Sequence, residues 1–388
     1  MKAGITTANR SIAVPRARAV STTRILAIDA LRGAALLLMA LDHANFFVGA
    51  GLQAESYGGH PVTLQSAPYW MSGLLTNLAS PIFFLLGGYS LALYAAAQRR
   101  KGLSEYATTR YIWIRAALIL ALDLTICNLF WRGATPYVHV LTAIATTMVL
   151  LSRLRFLPPL VLAGTSLLVL GLHQVAIGTL AGALAAGAPQ PFWQAFWLTY
   201  SYDTRPALGF AVLGWGPLLW LGYAIGTLQD HPALQQPRTW IMAGMGLLGF
   251  WLVLRLVGGF GDLGAFGEVG TSAAHFLVMS KAPPSLAFFA FNLGIAALLL
   301  AGFYAWPHLT NGGPLRWLVL VGQVSLFFYV THIVIYNLVA QMLELVSLPG
   351  PRIIWGYAAW LIGLAVLLPL GAWYRGIRKR YPRVLGYL

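Results

Sequence analysis

Charge is scarce in this 388-residue chain: 9% of its residues are Asp, Glu, Lys or Arg, against about 25% in an ordinary soluble domain. So few charges cannot cover the surface of a water-soluble protein of this length. A soluble enzyme, a disordered chain and a free nucleic-acid-binding domain are therefore excluded. Acidic residues are scarcest, ten against 25 Lys and Arg. Cysteine occurs once, as Cys127, so neither an internal disulfide nor a cysteine metal cluster can form. That residue falls within an apolar run and reads as packing. HExxH, GxSxG and phosphate-cradling glycine loops are missing, and the histidines are not spaced as metal ligands. Metalloprotease and serine-hydrolase chemistry have no support, and no metal is expected.

What the chain has in abundance is apolar residues, 59% of the total. A membrane-crossing helix needs about 20 of them in a row. Ten such stretches occur, near 30–50, 71–97, 112–131, 137–152, 157–179, 206–228, 239–260, 285–306, 317–343 and 353–374. They predict an all-α fold, a polytopic membrane helix bundle of about ten transmembrane helices. The segment 180–205 holds Trp193, Trp197, Tyr200 and Tyr202, aromatics of the kind that gather at a membrane interface. Residues 1–23 lack the apolar core of a secretory signal and read as a disordered basic tail. Residues 24–374 form the transmembrane domain, and 375–388 a basic C-terminal tail. No stretch outside the spans is long enough for a soluble domain, so the bundle must carry the function.

The basic residues test this count. Eighteen of the 25 fall in segments assigned to one side, including Arg99, Arg100, Lys101, Arg153, Arg155 and the run Arg375 to Arg383. Four fall on the other, Arg132, Arg205, Lys281 and Arg352. The positive-inside rule then puts both termini in the cytoplasm, across a cell (inner or plasma) membrane. The net charge of +15 reflects topology rather than nucleic acid.

Ionisable residues within spans are costly to insert and are functional candidates by default. The first span reads RILAIDALRGAALLLMALDHANFF. Ten residues lie between Arg32 and His43, and eleven steps at 100° per residue return the side chains to within about 20° of one face, displaced ~16 Å along the axis. Asp29 shares that stripe, while Asp42 points away, towards a neighbouring helix. In the second span Asn77, Ser80, Phe84 and Gly88 recur at near-helical spacing, with Asn77 at about the depth of His43. Pro81 frees a backbone carbonyl near Asn77. Gly87 and Gly88 suit close helix packing, or room for a slender ligand. In the ninth span His332 lies in the outer half. Asp123, Asn128 and Asn292 reach similar depths.

Five segments, IDALRGAALLLMALDHANFF, LASPIFFLLGGYSLAL, WGPLLWLGYAIGTL, SKAPPSLAFFAFNLG and VGQVSLFFYVTHIVIYNLV, occur in an order that resembles one family. It is the bacterial relatives of the heparan-alpha-glucosaminide N-acetyltransferase catalytic domain, within the superfamily of transmembrane acyltransferases. The resemblance spans roughly residues 24–374. It implies a membrane-bound O- or N-acyltransferase that takes an acetyl group from cytosolic acetyl-CoA to an extracytoplasmic acceptor, a glycan or lipid-linked sugar. The essential Arg and His of the related acyltransferases map onto Arg32 and His43. The lysosomal member has Asn at the position of His43 and a catalytic histidine in the next luminal segment, which here offers His60. Several bacterial relatives carry His where this chain has Asn77.

On this reading Arg32, with Asp29, Ser80 and Gly88 along the donor path, binds acyl-CoA. His43 acts as general base or takes the acetyl group covalently, alongside Asp42 and His332. Asn77 or a nearby backbone N–H stabilises the oxyanion. Two alternatives stand beside it. In a proton-coupled transporter or flippase, Asp42, Asp123 and His332 would form a path, although the halves show no convincing repeat. A silent scaffold would make Asp42 and His43 dispensable. Small-residue motifs serve within and between chains alike, so a homo-oligomer stays open.

Overall fold

The computed structural model describes residues 22–131, 136–264, 267–268, 270–346, 349–381 and 385–387. The N-terminal tail expected over 1–23 lies almost wholly outside the described residues, as do Arg132 and Arg383. Every expected span is helical. In chain order these are α1 (Thr22–Phe47), α2 (Ala67–Thr76) running into α3 (Ala79–Arg100), and α4 (Glu105–Leu122) with a π-helical turn at Asp123–Cys127. Then come α5 (Val140–Leu154), α6 (Pro159–Thr179), α7 (Val212–Thr227), α8 (Pro237–Val257) and α9 (Leu286–Ala305). The last are α10 (Arg316–Gln323), running into α11 (Ser325–Val346), and α12 (Arg352–Arg380).

The protein is a polytopic all-α bundle, with seven helices long and apolar enough to cross a membrane among the described residues. The other three depart from that rule in instructive ways. Helix α1 is long enough at 26 residues but carries Arg24, Asp29, Arg32 and Asp42. Helices α5 and α7 have 15 and 16 residues, and both end beside the cavities described below. The span expected at 206–228 begins late because Ala207–Leu208 is drawn into a strand. Helix α12 runs on through Arg375 to Arg380, so the start of the expected C-terminal tail is helical.

Glycines set the tightest helix contacts. A Cβ on Gly88 would lie 1.7 Å from the Leu219 carbonyl oxygen, and one on Gly222 1.8 Å from that of Leu85, so α3 and α7 touch backbone to backbone. Gly33 and Gly322 do the same for α1 and α10, facing Leu318 and Asp29. Lipid offers no hydrophobic drive between helices, so such close van der Waals approach is what holds them.

Regular helix is interrupted in two places that bear on function. Pro81 has no N–H to bond the carbonyl of Asn77, and the chain turns at Asn77–Leu78 between α2 and α3. Val324 leaves helical geometry between α10 and α11, with φ −117° and ψ 32°. Irregular backbone at membrane depth persists where protein or a cavity re-satisfies it, and both breaks border cavities.

Loops cap one end of the bundle. Strand β1 (Glu55–Tyr57) pairs in parallel with β4 (Met279–Ala282), and β2 (Tyr137–Val138) with β3 (Ala207–Leu208). These two ribbons tie the loops after α1, α4, α6 and α8 together. The opposite end carries Arg99, Arg100, Lys101, Arg153, Arg155 and the basic end of α12.

Candidate active site

Two cavities lie along α1. The inner one, about 310 Å³ at the basic end, is lined by residues including Arg32, Ser90, Tyr111, Arg115, Gln323 and Arg378. Arg32 Nη1 donates to Asp29 Oδ1 at 2.8 Å and to the Gly322 carbonyl at 3.1 Å, and Nη2 donates to Ser90 Oγ at 2.6 Å. The second Asp29 oxygen accepts from Gln323 Nε2 at 3.4 Å. Arg378 donates to the Gln323 carbonyl at 2.9 Å, and Arg115 to Tyr111 Oη at 3.2 Å and the Tyr387 carbonyl at 3.0 Å. Three guanidiniums thus share one nearby carboxylate, and two of them are held by uncharged oxygens. The surplus of positive charge, carried by half-buried guanidiniums around one cavity, suits a polyanion.

The outer cavity, about 390 Å³, lies under the loop cap. Helix α1 gives it Asp42 and His43, the α2–α3 break gives Thr76 and Ser80, and the loops give Tyr57, His139, Tyr202 and Lys281. Thr76 Oγ1 donates to Asp42 Oδ1 at 3.0 Å. Lys281 Nζ donates to Glu55 Oε1 at 2.9 Å. Burial alone would pull the Lys281 ammonium down, but the Glu55 and Asp42 carboxylates outweigh it and hold the amine above the usual lysine range. Rings form one wall, Phe46 against Trp131 at 4.7 Å, Trp131 against Tyr137 at 5.7 Å, and Tyr137 against Tyr202 at 6.1 Å between centroids.

The floor of this cavity is anchored from the π-helical turn. Asp123 Oδ2 accepts from the Thr142 backbone N–H at 2.9 Å and from Thr142 Oγ1 at 2.5 Å, capping α5 at its N-terminus. Asn128 Oδ1 accepts from the Tyr137 N–H at 2.7 Å. The two polar residues therefore hold the start of α5, where His139 and Val140 sit. Val140 and Tyr329 line both cavities, so these two side chains stand between the inner and outer spaces.

At this boundary a histidine pair fixes a proton. His332 Nδ1 is 3.2 Å from the Phe328 carbonyl, and a carbonyl can only accept, so Nδ1 carries the hydrogen. The neutral ring then presents an Nε2 lone pair, which accepts from His43 Nδ1 at 2.7 Å. His43 is left with its Nε2 lone pair. His332 is fully buried behind it, while His43 lines the outer cavity. This is the arrangement of a general base held by a second ring.

Residues 25–374 match the family described as an acyltransferase domain. The chain belongs to that family. No curated protein matches it. The acyltransferase is thus a multi-pass membrane protein, and its bundle is the acyltransferase domain.

Within the acyltransferase the residues expected from the sequence fall into two groups. Arg32 and His43, on one stripe of α1, line the inner and outer cavities respectively. Asp42 and Ser80 also line the outer cavity, Asp29 supports Arg32, and His332 supports His43. Asn77 and Gly88 line neither of these cavities. Asn77 is buried at the helix break with both side-chain polar atoms unpartnered among the described residues, and Gly88 lies in the α3–α7 contact, a packing role. His60 is likewise outside both. Arg155 is turned to the Glu105 carboxylate and to Thr109 Oγ1, at 2.8 Å from the latter, and Arg99 lies 3.9 Å from Glu105.

Four residues of the site escaped the sequence reading: Arg115, Arg378, His139 and Lys281. Lys281 left a trace, since it is one of four basic residues on the side where such residues are rare. Arg378 is one of several in a basic run, and Arg115 one of three at span ends. Nothing in the sequence distinguishes His139 from the buried, packed His173.

Proposed function

We propose that this acyltransferase moves an acetyl, or another acyl, group from cytosolic acyl-CoA to an acceptor hydroxyl or amine on the far side of the cell membrane. The observation that carries this reading is the pair of cavities with Val140 and Tyr329 as shared lining, guanidiniums in one and the His43 imidazole in the other. CoA is a polyanion on a slender arm. Arg32, Arg115 and Arg378 supply charge for its phosphates, and the ~16 Å axial offset between Arg32 and His43 is of the order that such an arm must span.

The acceptor enters from the loop cap. A sugar fits the outer cavity's chemistry, because its apolar ring face stacks on Trp131, Tyr137 or Tyr202 while its hydroxyls bond Asp42 and the tyrosines. The resemblance to the heparan-alpha-glucosaminide acetyltransferase relatives supports the same class. In the reaction, the acceptor oxygen or nitrogen attacks the thioester carbonyl carbon as His43 Nε2 takes its proton. The C–S bond then breaks and the thiolate recovers that proton from His43, leaving CoA and the acylated acceptor. His332 takes part through His43 by fixing which nitrogen is basic.

Membrane vesicles containing the full-length protein, given radiolabelled acetyl-CoA, should transfer label to a membrane glycan, and His43→Ala should abolish the transfer. If CoA neither binds nor turns over in the intact protein, the proposal fails.

A further inference from the structure

The outer cavity contains a second imidazole that the mechanism above leaves idle. His139 lines it, is 2% exposed, and its Nε2 has no hydrogen-bond partner among the described residues. The ring is clamped edge-on between Trp131 and Tyr137, each with its centroid 4.4 Å away. His43 packs edge-on against the same Trp131 indole at 5.3 Å. His139 also directly precedes Val140, one of the two residues shared by both cavities. It therefore stands in the outer cavity beside the boundary between the two spaces, on a backbone that Asp123 and Asn128 hold.

A buried polar atom without a partner is rare enough to need a reason. In the same wall the fully buried Trp215 Nε1 is also unpartnered among the described residues, and an indole N–H only donates. With its hydrogen on Nε2, His139 is, like Trp215, a donor in this wall whose acceptor is not among the described residues.

We infer that His139 is a catalytic residue whose Nε2–H donates to the acyl carbonyl oxygen of the thioester. This rests on the acyl-CoA reading above and assigns the oxyanion-binding role to the residue that precedes α5 rather than to Asn77. As the acceptor attacks, the carbonyl π electrons move onto oxygen, and His139 holds that oxygen by a hydrogen bond without giving up its proton. His43 handles the proton of the acceptor. When the oxyanion re-forms the carbonyl and the C–S bond breaks, His139 is unchanged. A neutral imidazole placed to donate in this way polarises a carbonyl without transferring its proton.

The experiment measures thiol release from acetyl-CoA by the full-length protein in membrane vesicles, together with binding of radiolabelled CoA. His139→Ala should lower kcat by about 100-fold or more, with the KM for acetyl-CoA and CoA binding within about twofold of the parent. His139→Gln, which keeps an N–H donor, should recover at least tenfold of that loss. A parental kcat in His139→Ala, a loss of kcat that travels with loss of CoA binding, or no recovery in His139→Gln overturns the assignment. The parent protein separates the two levels. If it releases no thiol, the acyl-CoA reading falls; if it does and His139→Ala matches it, only this inference falls.

Discussion

His43 Nδ1 and His332 Nε2 lie 2.7 Å apart in rings inclined by 7°, joining α1 to α11. The direction of that hydrogen bond is dictated from behind, by the Phe328 carbonyl. A buried histidine whose tautomer is fixed by a second group has its basic nitrogen in a known place, which is what a proton-accepting residue requires.

Replacing His332 should therefore slow catalysis without weakening donor binding. His332→Leu removes the acceptor for His43 Nδ1–H and should reduce kcat by about 10–100-fold, the range for groups that orient a reacting histidine. His332→Gln keeps an acceptor oxygen and should retain more activity than His332→Leu. Steady-state kinetics on both variants checks this, with an unchanged KM for acetyl-CoA as the accompanying sign.

The inner cavity makes a separate prediction about affinity. Arg115→Gln and Arg378→Gln each remove a guanidinium held by uncharged oxygens, and each should weaken CoA binding by about tenfold, roughly 1.4 kcal/mol. Arg32→Gln should weaken binding too and also lower thermal stability, because it strands the buried Asp29 carboxylate. Calorimetric titration with CoA and a melting curve distinguish the two effects.

Lys281 and Glu55 give a chemical readout. With its pKa held above the usual range by Glu55 and Asp42 against the pull of burial, the amine is fully protonated at neutral pH. The pair's contribution to stability is complete below the ordinary lysine pKa of about 10.4 and is lost only as pH climbs through the raised value. Around neutral pH the melting temperature should not respond to this pair. Glu55→Gln leaves burial less opposed, so the pKa falls and amine-acylating reagents should modify Lys281 faster, about tenfold for each unit of fall.

Adjacent glycines on α3 should behave differently. Gly88→Val forces a side chain into the Leu219 backbone and should destabilise the bundle by about 1–3 kcal/mol or more. Gly87→Ala meets nothing nearer than Leu219 Cδ1 at 3.7 Å and should melt near the parent temperature. Thermal unfolding in detergent measures both.

The sequence was most legible where physics is periodic. Apolar runs located the long helices but not short ones such as Phe192–Trp197, and the 100° repeat brought Arg32 and His43 onto one stripe, because α1 is regular from end to end. It was least legible where the site is assembled from separate chains of contacts. Asn77 shares the depth of His43, yet the turn that Pro81 imposes takes it off the cavity wall. His332 was visible as a buried polar residue, but its pairing with His43 depends on how α1 and α11 cross. His139 and Lys281 reach the cavity through loops, whose paths are set by the β1–β4 and β2–β3 pairings rather than by hydropathy. Gly88 shows that a glycine beside a ligand path and one in a backbone contact are indistinguishable until the neighbouring helix is seen.

The most direct measurement is a cryo-electron microscopy structure of the full-length protein with CoA bound. Density for the nucleotide beside Arg32, Arg115 and Arg378, with the thiol end passing Val140 and Tyr329 to reach His43, is the expected result. A nucleotide seated away from those three guanidiniums, or a thiol end that stops short of the outer cavity, would contradict it.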